Sequence, residues 1–81
     1  MPTCTVLPMT VAQAGQEVRV HSVRADEQQT QRLRELGILE GRTVRVITNQ
    51  DPLICQVGAC RFGVCRRLAR FILVEPVRRS A

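Results

Sequence analysis

Apolar and polar residues alternate along five short stretches of the chain. This alternation is typical of β-strands that have one face in a core and the other in water. It predicts strands over residues 17–23, 42–48, 53–57, 60–64 and 71–75. In the first strand the alternation slips at Ser22-Val23, which indicates a bulge or the end of the strand. Pro76 is expected to end the last strand.

One helix is predicted between the first two strands. Asp26 is a good N-cap, and Gln29 three residues later completes a pattern like a capping box. Leu33 and Leu36 are three residues apart, so they share a face of this helix. Gly37 stands where a helix C-terminus favours a positive φ, and the next residue can then fold back onto the last turn.

Five strands and one inserted helix predict a mainly β fold, a small five-stranded barrel with the helix between its first two strands. Closing the barrel would remove the exposed edges of an open sheet. Residues 1–8 are predicted to form a flexible arm, residues 9–77 the domain and residues 78–81 a frayed tail. Met9 to Gly15 is predicted to hold one short helical turn capped by Thr10.

With 81 residues, the chain is long enough for one small domain. Its apolar runs are shorter than the roughly 20 residues that cross a bilayer. The first residues lack the basic and apolar regions of a signal peptide. We therefore expect a cytoplasmic protein.

The formal charge of +5 comes from arginine, because the chain has no lysine. Arg19, Arg45 and Arg61 point outward from strands by alternation, so one face could be basic and attract nucleic acid. Proteins that bind single strands usually add aromatic stacking platforms. This chain has no Trp or Tyr, and Phe62 and Phe71 are predicted to lie in the core. Nucleic acid is therefore an alternative partner and not the expected one.

The four cysteines are not predicted to be metal ligands. Strand alternation places Cys55 and Cys60 on the apolar face, where free cysteine is common. Cys65 and Cys4 are predicted to be exposed thiols. His21, which is the single histidine, falls on the outer face of the first strand. Zinc knuckles usually hold paired ligands separated by two to four residues. Cys55, Cys60 and Cys65 are separated by four residues each, but strand alternation turns Cys65 away from the other two. Direct metal binding through thiols is therefore a weaker alternative.

Catalytic residues are not evident in the pattern. A serine or cysteine nucleophile would need a histidine base and an orienting acid, and no such set stands out. The acids are scattered, and no glycine-rich phosphate loop is present. We expect a protein that is not an enzyme, with no cofactor and no small-molecule substrate.

The order of several short motifs resembles the ferrous iron transport protein A (FeoA) family over roughly residues 9–77. The motifs are Gly15-x-x-Val18, Arg32-Leu33-x-x-Leu36-Gly37-Ile38-x-x-Gly41-x-x-Val44, Asp51-Pro52-Leu53, Gly58, Arg66 and Ile72-x-Val74. The most recognisable parts are Leu36-Gly37-Ile38-x-x-Gly41 and the Asp51-Pro52 pair before a strand.

This resemblance implies an SH3-like barrel with a helical insertion between strands 1 and 2. It implies a small cytosolic accessory protein of bacterial ferrous iron uptake that does no catalysis. The implied partner is the membrane transporter FeoB, which carries a cytosolic GTP-binding domain. A related SH3-like module occurs at the C-terminus of some metal-dependent repressors, so a metal-dependent regulatory module is a second alternative.

The end of the helix is the predicted partner-binding site, because it combines a small apolar centre with an arginine rim. The residues of this site are Arg32, Arg34, Leu36, Ile38 and Leu39. The alternative is that Leu33, Leu36 and Ile38 plug the open end of the barrel, which would leave Leu39 as the exposed contact. An unpaired strand edge could also pair with a second copy of the chain, so a homo-oligomer is a further alternative.

Overall fold

The computed structural model describes residues 6–77 of the chain. The strands are β1 (Leu7–Pro8), β2 (Glu17–Val23), β3 (Thr43–Thr48), β4 (Leu53–Val57), β5 (Cys60–Val64) and β6 (Ile72–Pro76). The helices are α1 (Glu27–Glu35), α2 (Arg66–Ala69) and a 3₁₀ helix (Met9–Val11). The predicted mainly β fold is confirmed, with α1 inserted between β2 and β3.

The strands form one antiparallel sheet in the order β1-β6-β2-β3-β4-β5. It has one strand more than predicted, because Leu7 and Pro8 pair with Val74 and Leu73 of β6. Two residues are too few to show alternation, and proline is accepted in an edge strand because one side of that strand has no partner. Residues 1–5 of the predicted arm and the predicted tail lie outside the described residues.

The core is formed by apolar residues from every part of the fold between the 3₁₀ helix and β6. It consists of Met9, Ala12, Val18, Val20, Leu33, Ile38, Val44, Val46, Leu53, Cys55, Val57, Val64, Ala69, Ile72 and Val74. No polar or charged residue among those described is buried with them. The alternation predicted for β2, β3 and β4 is confirmed, since their inward positions are all in this core.

Two local signals around β2 and α1 are confirmed, the irregularity near the end of β2 and the N-cap of α1. The register between β2 and β6 shifts between Val20 and Ser22, next to the predicted bulge. Asp26 caps α1, and its carboxylate accepts a hydrogen bond of 2.8 Å from the backbone N–H of Gln29. Leu33 is the buried residue of α1, so most of this helix faces solvent.

The turn between β4 and β5 is a two-residue hairpin made by Gly58 and Ala59. Its closing pair is Val57 and Cys60. Gly58 has φ +60°, whereas Ala59 is not among the residues with positive φ, which is the pattern of a type II′ turn. The 3₁₀ helix lies where a helical turn was expected, but it follows Pro8 and has no side-chain cap, so the predicted cap by Thr10 is wrong.

Candidate partner-binding site

A Schellman turn ends α1 and shapes the predicted site. The backbone N–H of Gly37 donates to the carbonyl of Arg34 at 3.0 Å, and the N–H of Ile38 donates to the carbonyl of Leu33 at 2.9 Å. Gly37 has φ +100°, a conformation that glycine adopts without a steric penalty. The chain therefore reverses within two residues and directs Ile38 toward the core.

The four apolar side chains around this turn divide into two buried and two exposed. Leu33 and Ile38 are 1% and 0% exposed, whereas Leu36 and Leu39 are 38% and 39% exposed. The plug is therefore formed by Leu33 and Ile38, and the expectation that Leu36 belongs to it is wrong. Helical spacing alone places Leu36 beside Leu33, but the reversal at Gly37 brings Ile38 into the core in its place. Leu39 is exposed, as predicted.

A cleft of about 270 Å³ lies beside this turn. Its lining residues are Val23, Thr30, Arg34, Ile38, Leu39 and Glu40. The hydroxyl of Thr30 donates to the carbonyl of Ala25 at 3.2 Å, which fixes one wall. The floor is apolar and the rim carries one positive and one negative side chain, so the cleft could hold an apolar side chain of a partner.

The five predicted site residues do not form one continuous patch. Arg34 and Leu39 meet at the cleft, and Ile38 contributes to its floor from the core. Arg32 lines a separate depression with Gln28 and Gln29. Arg32 and Leu36 are four residues apart and so share the other side of α1. The helix end thus presents two small surfaces, one on each side of the last turn.

A network of polar side chains holds the start of α2 in place. The sequence pattern did not predict this network. The Nδ2 of Asn49 donates to the carbonyls of Thr10 and Ala12 at 3.0 and 2.6 Å, while its Oδ1 accepts from the guanidinium of Arg66. The backbone N–H of Arg66 donates to the carboxylate of Asp51 at 3.2 Å. Asp51 and Arg66 belong to the motifs of the resemblance, and here both connect α2 to the loop before β4.

The cysteines are arranged differently from the prediction at one position. Cys55 is buried and its Sγ lies 3.8 Å from the Sδ of Met9. This burial raises the pKa of the Cys55 thiol to about 11, so the thiol stays protonated at neutral pH. Cys60 is exposed, so its predicted core position is wrong, because it starts the edge strand β5 next to the turn. Cys65 is exposed as expected, and Cys4 lies outside the described residues.

Of the two phenylalanines that were predicted to lie in the core, one does not. Phe62 is half-buried and packs against the core, but Phe71 is 45% exposed. Phe71 immediately precedes β6, whose inward positions are Ile72 and Val74. Alternation therefore turns Phe71 outward, and the prediction of a core position for it is wrong.

The arginines on the strands face solvent, as predicted, but they do not form a purely basic surface. Arg19 lies opposite Glu75, and Arg45 lies opposite Glu17. The Nε of Arg61 donates to the side-chain oxygen of Gln56 at 2.9 Å. Carboxylates opposite arginines reduce the field that would attract a phosphate backbone.

Residues 6–77 contain no group of three or more His, Cys, Asp or Glu side chains placed to hold a metal ion. His21 is exposed on β2, and its Nδ1 lies 3.2 Å from the hydroxyl oxygen of Ser22. In the same part of the chain, none of the helices combines the length and apolar character needed to cross a membrane.

The fold and the candidate site define the class of protein. It is a small antiparallel β domain with one inserted helix, and the end of this helix exposes apolar side chains close to arginines. The profile of the FeoA domain family matches residues 7–76, which is most of the chain. The chain therefore belongs to the FeoA domain family, and the resemblance found in its motifs is confirmed.

Individual relatives agree with this assignment. A Methanocaldococcus jannaschii protein provisionally named Fe(2+) transport protein A is 36% identical over 69 residues, 84% of each chain. The crystal structure of an iron uptake regulatory protein, FeoA, has a TM-score of 0.83 and 26% identity, and the match covers 90% of this chain and 99% of that one.

The structure of Stenotrophomonas maltophilia FeoA in complex with zinc has a TM-score of 0.71 and 30% identity. The match covers 82% of this chain and 86% of that one. That protein is described as a prokaryotic SH3 domain protein. The fold of the present chain is accordingly SH3-like, as the resemblance implied.

Proposed function

We propose that this chain is a cytoplasmic accessory protein of ferrous iron uptake that binds and regulates the membrane transporter FeoB, and that it is not an enzyme. Its membership of the FeoA domain family supports a role in ferrous iron transport. The names of its relatives point the same way, since they refer to Fe(2+) transport, iron uptake regulation and activation of ferrous iron transport.

The observation that carries the proposal is the exposure of Leu36 and Leu39 on either side of the buried Ile38. A domain of this size has few apolar side chains to spare from its core, so two large ones at a single turn favour a contact surface. Interface centres commonly combine apolar anchors with arginine.

Ile38 has a supporting role in this proposal. Its side chain is buried, so it backs the cleft without offering exposed surface, and it fixes the backbone between the two exposed leucines. The Schellman turn holds the same residues through two backbone hydrogen bonds. A preordered turn loses little conformational entropy on binding, which favours affinity.

The cleft side of the turn is the better candidate for an anchor site. Leu39 and Arg34 lie on the cleft, and Val23 and Thr30 form its far wall. The opposite side offers Leu36 and Arg32 over a shallower surface. We expect Leu39 and Arg34 to contribute most to affinity, with Leu36 and Arg32 at the edge of the contact.

The test is binding of the purified chain to the cytosolic portion of FeoB and to the full transporter in detergent, under reducing conditions and at physiological salt. Leu39→Asp is expected to weaken binding by about tenfold or more, the effect of a hot-spot residue. Val11→Asp is the matched control, because Val11 is an exposed apolar residue on the distant 3₁₀ helix.

Each outcome addresses a different part of the proposal. If the wild-type chain binds neither form of the transporter, the proposed function is wrong. If it binds and Leu39→Asp and Arg34→Glu bind equally well, the function stands and the site is wrong. If Val11→Asp weakens binding as much as Leu39→Asp, the helix end is not the specific contact.

A further inference from the structure

An aromatic ring is exposed at the junction of α2 and β6. The chain has two phenylalanines and no Trp or Tyr. Phe62 packs against the core, whereas Phe71 is 45% exposed. A small domain gains stability by burying its few aromatic rings, so an exposed ring favours a role at the surface.

Two arginines lie on the same side of α2 as this ring. Arg67, Arg70 and Phe71 are separated by three and four positions, the spacing of one helical face. The helical turn continues past α2, because the N–H of Arg70 donates to the carbonyl of Arg66 at 3.1 Å and the N–H of Phe71 to that of Leu68 at 3.0 Å. Ala69 lies on the opposite side and is fully buried, so this face points away from the core.

A third arginine reaches the same place from the end of β2. The backbone N–H of Arg24 donates to the carbonyl of Phe71 at 2.7 Å, and Arg24 is exposed. We call Arg24, Arg67, Arg70 and Phe71 the Phe71 patch. It consists of one exposed ring with three arginines next to it in the fold.

Carboxylates near the patch are engaged elsewhere. Asp51 accepts the backbone N–H of Arg66, and Asp26 accepts that of Gln29 at the start of α1. Glu75 on β6 lies opposite Arg19. Arg67 and Arg70 have no acidic residue within four positions in the sequence, whereas Asp26 and Glu27 follow Arg24 closely. The α2 part of the patch therefore favours an anionic partner.

We infer that the Phe71 patch binds an anionic lipid surface. A ring beside guanidinium groups matches the boundary between headgroups and acyl chains, because the ring enters the boundary and the arginines meet the phosphates. Single-stranded nucleic acid is usually held by successive rings along a groove, and here there is one ring. The observations therefore favour lipid over nucleic acid.

The patch adjoins the proposed transporter site. Val23 lines the cleft beside Leu39, and the next residue in the chain is Arg24. The inference goes beyond the proposed function, since lipid binding requires no transporter.

The test is co-sedimentation of the full chain with vesicles of phosphatidylcholine, alone or mixed with phosphatidylglycerol, at low and at high salt. The wild-type chain is expected to bind only the mixed vesicles and to be released by salt. Arg67→Gln with Arg70→Gln is expected to weaken binding by about 25-fold, about fivefold for each arginine.

A matched control separates the patch from net charge. Arg45→Gln with Arg61→Gln removes the same charge from the strand face and is expected to change binding less than about threefold, because these residues lie outside the patch. Phe71→Ala retains every charge and is expected to weaken binding several-fold. Circular dichroism melts show whether each variant is folded. If Phe71→Ala is unfolded, the test rests on the double variant Arg67→Gln with Arg70→Gln.

Three results would overturn the inference. One is equal or absent binding to the two kinds of vesicle. Another is an equal loss in the control double variant, which would mean that net charge alone is responsible. The third is retention of a single-stranded oligonucleotide, with the same dependence on the variants, by a chain that does not bind vesicles. Because the vesicles contain no transporter, none of these results bears on the proposed function.

Discussion

The end of α1 and the start of α2 both cover the core, but they do so with different chemistry. At the end of α1 the contacts are apolar, made by Leu33 and Ile38. At the start of α2 a polar network joins Asn49, Asp51 and Arg66 to the 3₁₀ helix. In the proposed function the end of α1 is the binding surface, whereas the start of α2 supports the fold.

The difference shows which motif residues are free to contact a partner. Asp51 and Arg66 are occupied by hydrogen bonds within the chain, so a structural role accounts for them. At the end of α1, Ile38 occupies the core position, and more than a third of the surface of Leu36 and of Leu39 is left exposed. The same turn therefore serves both stability and, in the proposed function, recognition.

The largest expected effect separates the buried from the exposed side chains at the end of α1. Ile38→Ala is expected to lower the free energy of unfolding by about 2–5 kcal/mol, because it leaves a cavity in the core. Leu36→Ala should stay within about 0.5 kcal/mol of wild type. Urea denaturation monitored by circular dichroism measures both. Equal losses would show that Leu36 is also part of the plug.

The second effect concerns the polar network. Asn49→Ala is expected to lower the free energy of unfolding by about 1–3 kcal/mol, because the carbonyl of Ala12 loses its amide donor and the guanidinium of Arg66 loses an acceptor. The carbonyl of Thr10 keeps only the longer bond of 3.5 Å from Arg66. The control is Gln50→Ala at the exposed neighbouring position, which should change stability by less than about 0.5 kcal/mol. If Asn49→Ala leaves the free energy of unfolding unchanged, water replaces the amide and the network does not stabilise the fold.

A smaller effect tests the backbone reversal at the end of α1. Gly37→Ala is expected to cost about 1–2 kcal/mol because of the positive φ. The added Cβ would also lie 3.3 Å from a methyl carbon of Val57. Gly41→Ala is a useful comparison, since that residue has φ +85° with no atom within 4 Å of the added Cβ. Equal melting temperatures for the two variants would show that crowding by Val57 contributes nothing.

The last effect is absent at neutral pH, appears only at high pH and concerns the buried thiol of Cys55. Burial raises the pKa of Cys55 from 9.0 to about 11, so the folded state keeps a proton that the unfolded state loses. Stability should therefore fall as the pH rises above about 9, and the decrease should level off above about 11. Cys55→Val removes the thiol and is expected to reduce this decrease, as thermal melts of both proteins across this pH range would show; an unchanged decrease would mean that another group causes it.

Local signals in the sequence predicted the elements closely. Alternation gave the limits of β2, β4 and β5 as the structure has them. The cap at Asp26 and the positive φ of Gly37 also followed from residue type, because both depend on bonds within a few residues. The two-residue strand β1 escaped prediction, since its pairing with β6 spans most of the chain and leaves no periodic signal.

The candidate site was predicted less completely for a related reason. Spacing placed Leu36 with Leu33, but it could not show that Ile38 would occupy the core position after the reversal. Helical spacing does place Arg32 and Arg34 on opposite sides of the last turn, and the predicted single patch overlooked this. The Asn49 network joins residues up to 56 positions apart, which a local pattern cannot reveal.

The sequence by itself determined the mainly β fold, the position of the helix and the family, because these rest on periodicity, capping residues and the order of short motifs. Only the tertiary structure decided which apolar side chains are left in water. Leu36, Leu39, Phe71 and Cys60 are as apolar as their buried neighbours. Their exposure depends on where the sheet ends and on which segment reaches each part of the core first, and both are set by contacts between distant parts of the chain.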